Sequence, residues 1–150
     1  MHCQKIMMIV LGIICVSSCS LLQPTTDFKI QAVRSLNPSV RGEPSPLVVT
    51  IYQLKNKTAF QNSDYRSLMT RAGTILQADL IDKHSFQVRP GASFSVTEKL
   101  NPETRYLGVM AAYRKPSLRG WSKVIKIEKG GILSRKVKLN LAPHEITVTE

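Results

Sequence analysis

Beyond residue 27, apolar side chains recur at every second position in short runs separated by turn-forming residues, and few architectures accept a chain patterned this way. The runs are Phe28, Ile30 and Ala32; Phe86 and Val88; Phe94 and Val96; Val137, Leu139 and Leu141; Ile146 and Val148. Extended chain points successive side chains to opposite faces, so each run predicts a strand with one buried face. Two further stretches, residues 47–54 (LVVTIYQL) and 106–113 (YLGVMAAY), are apolar on both faces and rich in β-branched or aromatic residues. That composition suits central strands covered on both sides. Pro44 and Pro46, Pro90-Gly91, Asn101-Pro102, Gly130-Gly131 and Pro143 punctuate the series. Turns so closely spaced favour an antiparallel all-β sandwich and disfavour parallel βαβ units.

One segment departs from the two-residue period. Tyr65, Leu68, Met69 and Ala72 fall at i, i+3, i+4 and i+7, with Ser63 placed to cap and Gly73 to stop. The spacing predicts one short amphipathic helix added to the sandwich, its apolar stripe serving as core packing. No internal repeat or low-complexity tract is present.

A chain of 150 residues has room for one hydrophobic core. All three cysteines, Cys3, Cys15 and Cys19, lie in the first 19 positions. No disulfide or thiolate site is therefore available to the residues downstream, and only His84 and His144 remain as imidazole ligands. No metal site and no transition-metal or redox chemistry is expected.

The amino terminus carries a targeting signal. Lys5 precedes an 11-residue uncharged run, residues 6–16 (IMMIVLGIICV), which is too short to span roughly 30 Å of hydrocarbon. Val16-Ser17-Ser18-Cys19 follows and resembles the bacterial lipobox, which implies cleavage before Cys19 and acylation of its thiol. At about 0.8 kcal/mol per buried methylene, more than one acyl chain holds a protein stably on a membrane. Ser20 stands where an Asp would imply retention at the inner membrane, so the periplasmic face of an outer membrane is expected. The chain divides into a signal peptide (1–18), a lipidated tether (19–26) and the sandwich (27–150).

Catalytic patterns are absent. No G-x-S-x-G elbow, S-x-x-K motif or glycine-rich phosphate cradle occurs, and His84 beside Asp82 reads as a solvated loop residue. The charge pattern says more. Residues 99–138 carry 11 Lys and Arg against Glu103 and Glu128. On the strand expected at 134–141 the cations share the face opposite Val137, Leu139 and Leu141, where they form either a solvated sheet face or a cationic docking surface. An exported chain without interleaved aromatics is not expected to bind nucleic acid.

Three stretches, Leu36-Asn37-Pro38, then 42–49 (GEPSPLVV), then 51–55 (IYQLK), together closely resemble the signature of the type VI secretion lipoproteins, the TssJ (VasD) family. Phe60, Asp64-Tyr65, Leu68, Asp79-Leu80, Pro90-Gly91, Tyr106-Leu107-Gly108-Val109, Ala111-Ala112-Tyr113-Arg114 and Trp121 follow in that family's order. The resemblance implies a transthyretin-like β-sandwich with an added helix. It also implies a mechanical role: a lipid-anchored outer-membrane protein that holds the periplasmic carboxy-terminal part of TssM and, through it, TssL. No small-molecule substrate and no cofactor beyond the lipid on Cys19 is implied. In some members the first interstrand loop contacts TssM. Here that loop is residues 35–46, and Leu36, Asn37, Pro38, Val40, Arg41, Gly42 and Glu43 are the expected contacts. The competing reading is a lipid-tethered periplasmic binder or chaperone for a small ligand, glycan or envelope protein. Such a binder calls for an aromatic-lined groove.

Overall fold

The structure, a computed structural model, describes residues 23–128 and 134–150. The expected signal peptide, Cys19 and the Gly130-Gly131 turn lie outside the described residues. Eight strands form two sheets: β1 (Thr25–Ala32), β2 (Leu47–Leu54), β3 (Leu80–Val88), β4 (Ser93–Lys99), β5 (Tyr106–Ala111), β6 (Ser122–Lys126), β7 (Ser134–Leu141) and β8 (Ile146–Thr149). One sheet runs β4-β1-β7-β8 and the other β3-β2-β5-β6. Every pairing is antiparallel except that of β1 with β7, which is parallel.

Alternation along the strands builds the core between the sheets. Phe28, Ile30, Val137, Leu139, Leu141 and Ile146 face Leu47, Val49, Ile51, Leu107, Val109 and Ile125, all buried. The doubly apolar strands β2 and β5 lie side by side at the centre of their sheet, as their composition predicted. Their second face is covered by two helices, α1 (Thr58–Asn62) and α2 (Tyr65–Leu76), with Phe60, Leu68, Ala72 and Leu76 buried. Gly108 allows the close approach: a Cβ there would come within 2.8 Å of the Phe60 ring.

The helical segment differs in detail from expectation. Asp64 caps α2 by accepting from the Ser67 N–H at 2.9 Å, whereas the Ser63 hydroxyl donates to the Ala59 carbonyl at 2.6 Å. The helix, kinked at Arg71 (φ −137°), continues past Gly73 to Leu76 and gives way at Gln77, whose φ is +40°. Met69, counted in the apolar stripe, is half exposed.

Strand β4 departs from the alternating pattern because it is an edge strand. Phe94 and Val96 are only partly covered, and the one buried β4 side chain is Glu98. Its carboxylate meets His84 Nδ1 at 3.0 Å. His84 therefore sits in β3 rather than in a loop, and its partner is Glu98, not Asp82, whose carboxylate accepts from the Lys83 N–H. Near the same end, buried Gln53 donates to the Lys99 carbonyl at 2.8 Å and accepts from Asn101 N–H and the Thr104 hydroxyl at 2.9 Å. Its amide joins the sheets where β1 begins, and all its bonds are satisfied, as burial demands.

Candidate functional site at the loop end of the sandwich

Strand direction sorts the connections into two groups. The chain enters at Thr25 beside the ends of β2 and β4 and the start of β5, where Leu100 N–H bonds to the Pro24 carbonyl. Eight extended residues of β1 cover about 26 Å. The segment following β1 therefore lies at the opposite end, with the β3–β4, β5–β6 and β7–β8 connections. Backbone bonds knit these loops together: Gly91 N–H to Val33 O, Ser117 N–H to His144 O, and Ile146 N–H to Gly120 O.

The segment 35–46 is held in a fixed shape by Asn37. Its φ is +45°, a region that Asn tolerates better than most residues, and it is buried. The side-chain amide donates to the Pro46 carbonyl at 2.8 Å, and its oxygen accepts from Arg114 N–H at 2.8 Å. The Ser45 hydroxyl closes the circuit on the Asn37 carbonyl at 2.5 Å and receives Arg114 Nε at 3.2 Å. A turn at 39–43 forms the tip, with Gly42 at φ +80° and Ser39 N–H bonded to the Glu43 carbonyl.

This geometry divides the seven expected contacts. Leu36 is fully buried and Asn37 nearly so, which makes them internal supports whose side chains are closed to a partner. Pro38 is half-buried, while Val40, Arg41, Gly42 and Glu43 project from the tip. Val40 is 90% exposed, and Leu118 on the β5–β6 loop at the same end is 97% exposed. Leu118 was not among the expected contacts, since an apolar residue in a loop reads like any strand flank. Arg34, Arg89, Arg114, Lys115 and Arg119 also lie at this end and are exposed. Their signal in sequence was each one's position beside turn chemistry at Pro90, Pro116 or Gly120, or just after a strand. Lys136 and Lys138 do occupy the outer face of β7, opposite Val137 and Leu139, next to Lys29 of β1, but Arg135, expected with them, falls on the parity of Val137, is half-buried and donates to the Lys126 carbonyl.

The β7–β8 loop is tied down from beneath. Tyr113, 2% exposed, donates its hydroxyl to the Glu145 carbonyl at 2.7 Å, and burial pushes its pKa far above the usual phenol value. Tyr65 Oη donates in turn to the Tyr113 carbonyl at 2.6 Å. A groove of about 650 Å3 runs beside the β5–β6 loop between Tyr65, Leu118, Arg119 and Lys123. Of its aromatics, Phe60 and Trp121 are buried and Tyr65 is half-buried. Among the described residues no cluster of His, Cys, Asp or Glu is placed to hold a metal ion.

Comparison with known proteins places these features in context. A family model described as Type VI secretion lipoprotein, VasD, EvfM, TssJ matches residues 24–144. The crystal structure of the type VI secretion lipoprotein TssJ1 from Pseudomonas aeruginosa is 30% identical, covering 85% of this chain and 95% of that one, with a TM-score of 0.78. A chain of a type VI membrane complex is 27% identical over 85% of this chain and 99% of that one, with a TM-score of 0.77. A chain in the structure of the TssM C-terminal domain from EAEC is 26% identical over 85% and 98% of the two chains, with a TM-score of 0.72. No curated protein matches the sequence significantly.

Proposed function

Because this chain belongs to the type VI secretion lipoprotein family of VasD, EvfM and TssJ, we propose that it is an outer-membrane tether for the secretion system's trans-envelope complex. Acylated Cys19 fixes one end, and the loops at the other end grip the periplasmic carboxy-terminal domain of TssM, with TssL joined indirectly. No bond is made or broken, and the role is that of a load-bearing clamp rather than an enzyme.

The observation that carries this reading is the opposition of the two ends. Five peptide links separate Cys19 from Pro24, a reach of at most about 18 Å, so a lipid at Cys19 keeps the Thr25 end close to the bilayer. Strand β1 then sets the 35–46 loop about 26 Å further from it, facing the periplasm. Prolines at 38, 44 and 46 and the Asn37 network fix the loop before any partner arrives, which lowers the ordering cost of binding.

Two measurements test the proposal. Intact mass spectrometry of native protein is expected to show a chain starting at an acylated Cys19. A titration of that protein with the periplasmic TssM domain is expected to show binding that is weakened by replacing Val40 and Arg41. An unmodified thiol, or a full-length chain, removes the tether, and absence of binding removes the clamp.

A further inference from the structure

We propose that the loop end of the sandwich is an arginine-faced receptor for a carboxylate-rich polypeptide segment of the partner. This inference rests on the clamp reading and specifies the chemistry of its contact.

Charge is distributed unequally between the two ends. The loop end carries Arg34, Arg41, Arg89, Arg114, Lys115 and Arg119 against Glu43, Glu145 and Asp64, the last lining the groove beside Arg119, all exposed. At the opposite end three acids are each matched to a cation: Glu103 with Lys55 at 3.0 Å, Glu128 with Lys126 at 3.2 Å, and Glu150 with Arg135. Among the described residues no such pair forms at the loop end. Like charges gathered at one end raise the local positive potential, which is relieved when an anionic surface docks and is screened by salt over a Debye length of about 8 Å.

The residue type narrows the ligand. Five of the six cations are arginines, whose planar fork binds a carboxylate through two parallel hydrogen bonds, whereas lysine acts as a point charge. Arg114 is already oriented, because its Nε is fixed on Ser45 Oγ and its backbone N–H on Asn37. Exposed Val40 and Leu118 stand among the arginines, giving the apolar and arginine mixture typical of protein interfaces. Lipid phosphate is the less suitable anion, since β1 holds this end about 26 Å beyond the anchored end.

The test uses the acylated full mature protein in nonionic detergent, titrated with the partner's periplasmic domain at low and at moderate salt. Wild-type affinity is expected to fall about tenfold between the two. The triple variant Arg41→Gln, Arg89→Gln, Arg119→Gln, whose changed side chains make no internal hydrogen bond among the described residues, is expected to lose about tenfold at low salt and to flatten the salt dependence. The matched triple change to Lys keeps the charge, and it is expected to bind more weakly than wild type while keeping the salt dependence. Poly-L-glutamate is expected to compete, and glycerol 3-phosphate at equal charge is not. Salt-insensitive binding that the Gln variant leaves unchanged overturns this proposal and leaves the clamp standing. Competition by glycerol 3-phosphate in place of poly-L-glutamate overturns it in favour of a lipid headgroup. A wild-type protein that binds no partner domain at low salt overturns the clamp and this proposal together.

Discussion

Replacing Asn37 with alanine tests whether one buried amide shapes the loop end. The change removes two side-chain hydrogen bonds, at 2.8 Å to the Pro46 carbonyl and at 2.8 Å from Arg114 N–H, and leaves both backbone groups without their partner. At about 1 kcal/mol each, these contribute about 2 kcal/mol of stability. Alanine also tolerates a φ of +45° less well than asparagine, adding about 1 kcal/mol. The expected loss is therefore about 3 kcal/mol, a large share of the roughly 5–15 kcal/mol that holds a domain together. With a urea slope of about 1.5 kcal/mol per molar, the unfolding midpoint drops by about 2 M. Asn37→Gly removes the same bonds without the φ penalty and is expected to fall between the two. Hydrogen exchange at Arg114 N–H is expected to accelerate in both variants. A midpoint within 0.3 M (about 0.5 kcal/mol) of wild type for Asn37→Ala would refute the assignment of Asn37 as the loop's clasp.

Three other perturbations probe neighbouring claims. Leu36→Ala is expected to cost about 3 kcal/mol as a buried truncation, and Val40→Ala less than about 0.5 kcal/mol; equal urea midpoints would contradict the division of the loop into support and contact. Gly108→Ala forces a Cβ within 2.8 Å of the Phe60 ring and is expected to destabilise by about 1–3 kcal/mol, an effect that Phe60→Leu partly relieves; additive losses in calorimetry would argue against the contact. Tyr113 has a folded pKa raised by burial, so its stability contribution is intact below the unfolded value near 10 and declines as pH rises above it. Tyr113→Phe is expected to lower stability by about 1 kcal/mol at pH 8 through the lost bond to Glu145. It also makes the alkaline decline between pH 9 and 11 shallower, though not flat, since burial raises Tyr52 and Tyr65 as well. Identical alkaline slopes for the two proteins in urea titrations would show that the buried phenol is not the source.

Local periodicity carried most of the fold. A strand's two-residue period is set by its own backbone, so Phe28, Ile30, Val137, Leu139 and Leu141 declared their buried face without reference to any neighbour. The doubly apolar LVVTIYQL declared its central place in the same way. Capping was less legible: Ser63 and Asp64 are adjacent and both suited to the role, and only the backbone path decided that Asp64 meets Ser67 N–H. His84 could not be paired correctly from sequence, because Glu98 reaches it across the gap between two sheets, 14 residues further on.

The sequence by itself determined the alternating strands, the helix, the lipobox resemblance and the overall basic charge, because each is a property of neighbouring residues. Only the tertiary structure decided which of those residues meet. Burial turned Leu36 and Asn37 from contacts into supports, and strand direction gathered arginines spread from position 34 to 119 onto one end while matching Glu103, Glu128 and Glu150 at the other end to lysine and arginine. Spatial grouping of that kind follows from the order and direction of strands in the sheets, which no local pattern encodes.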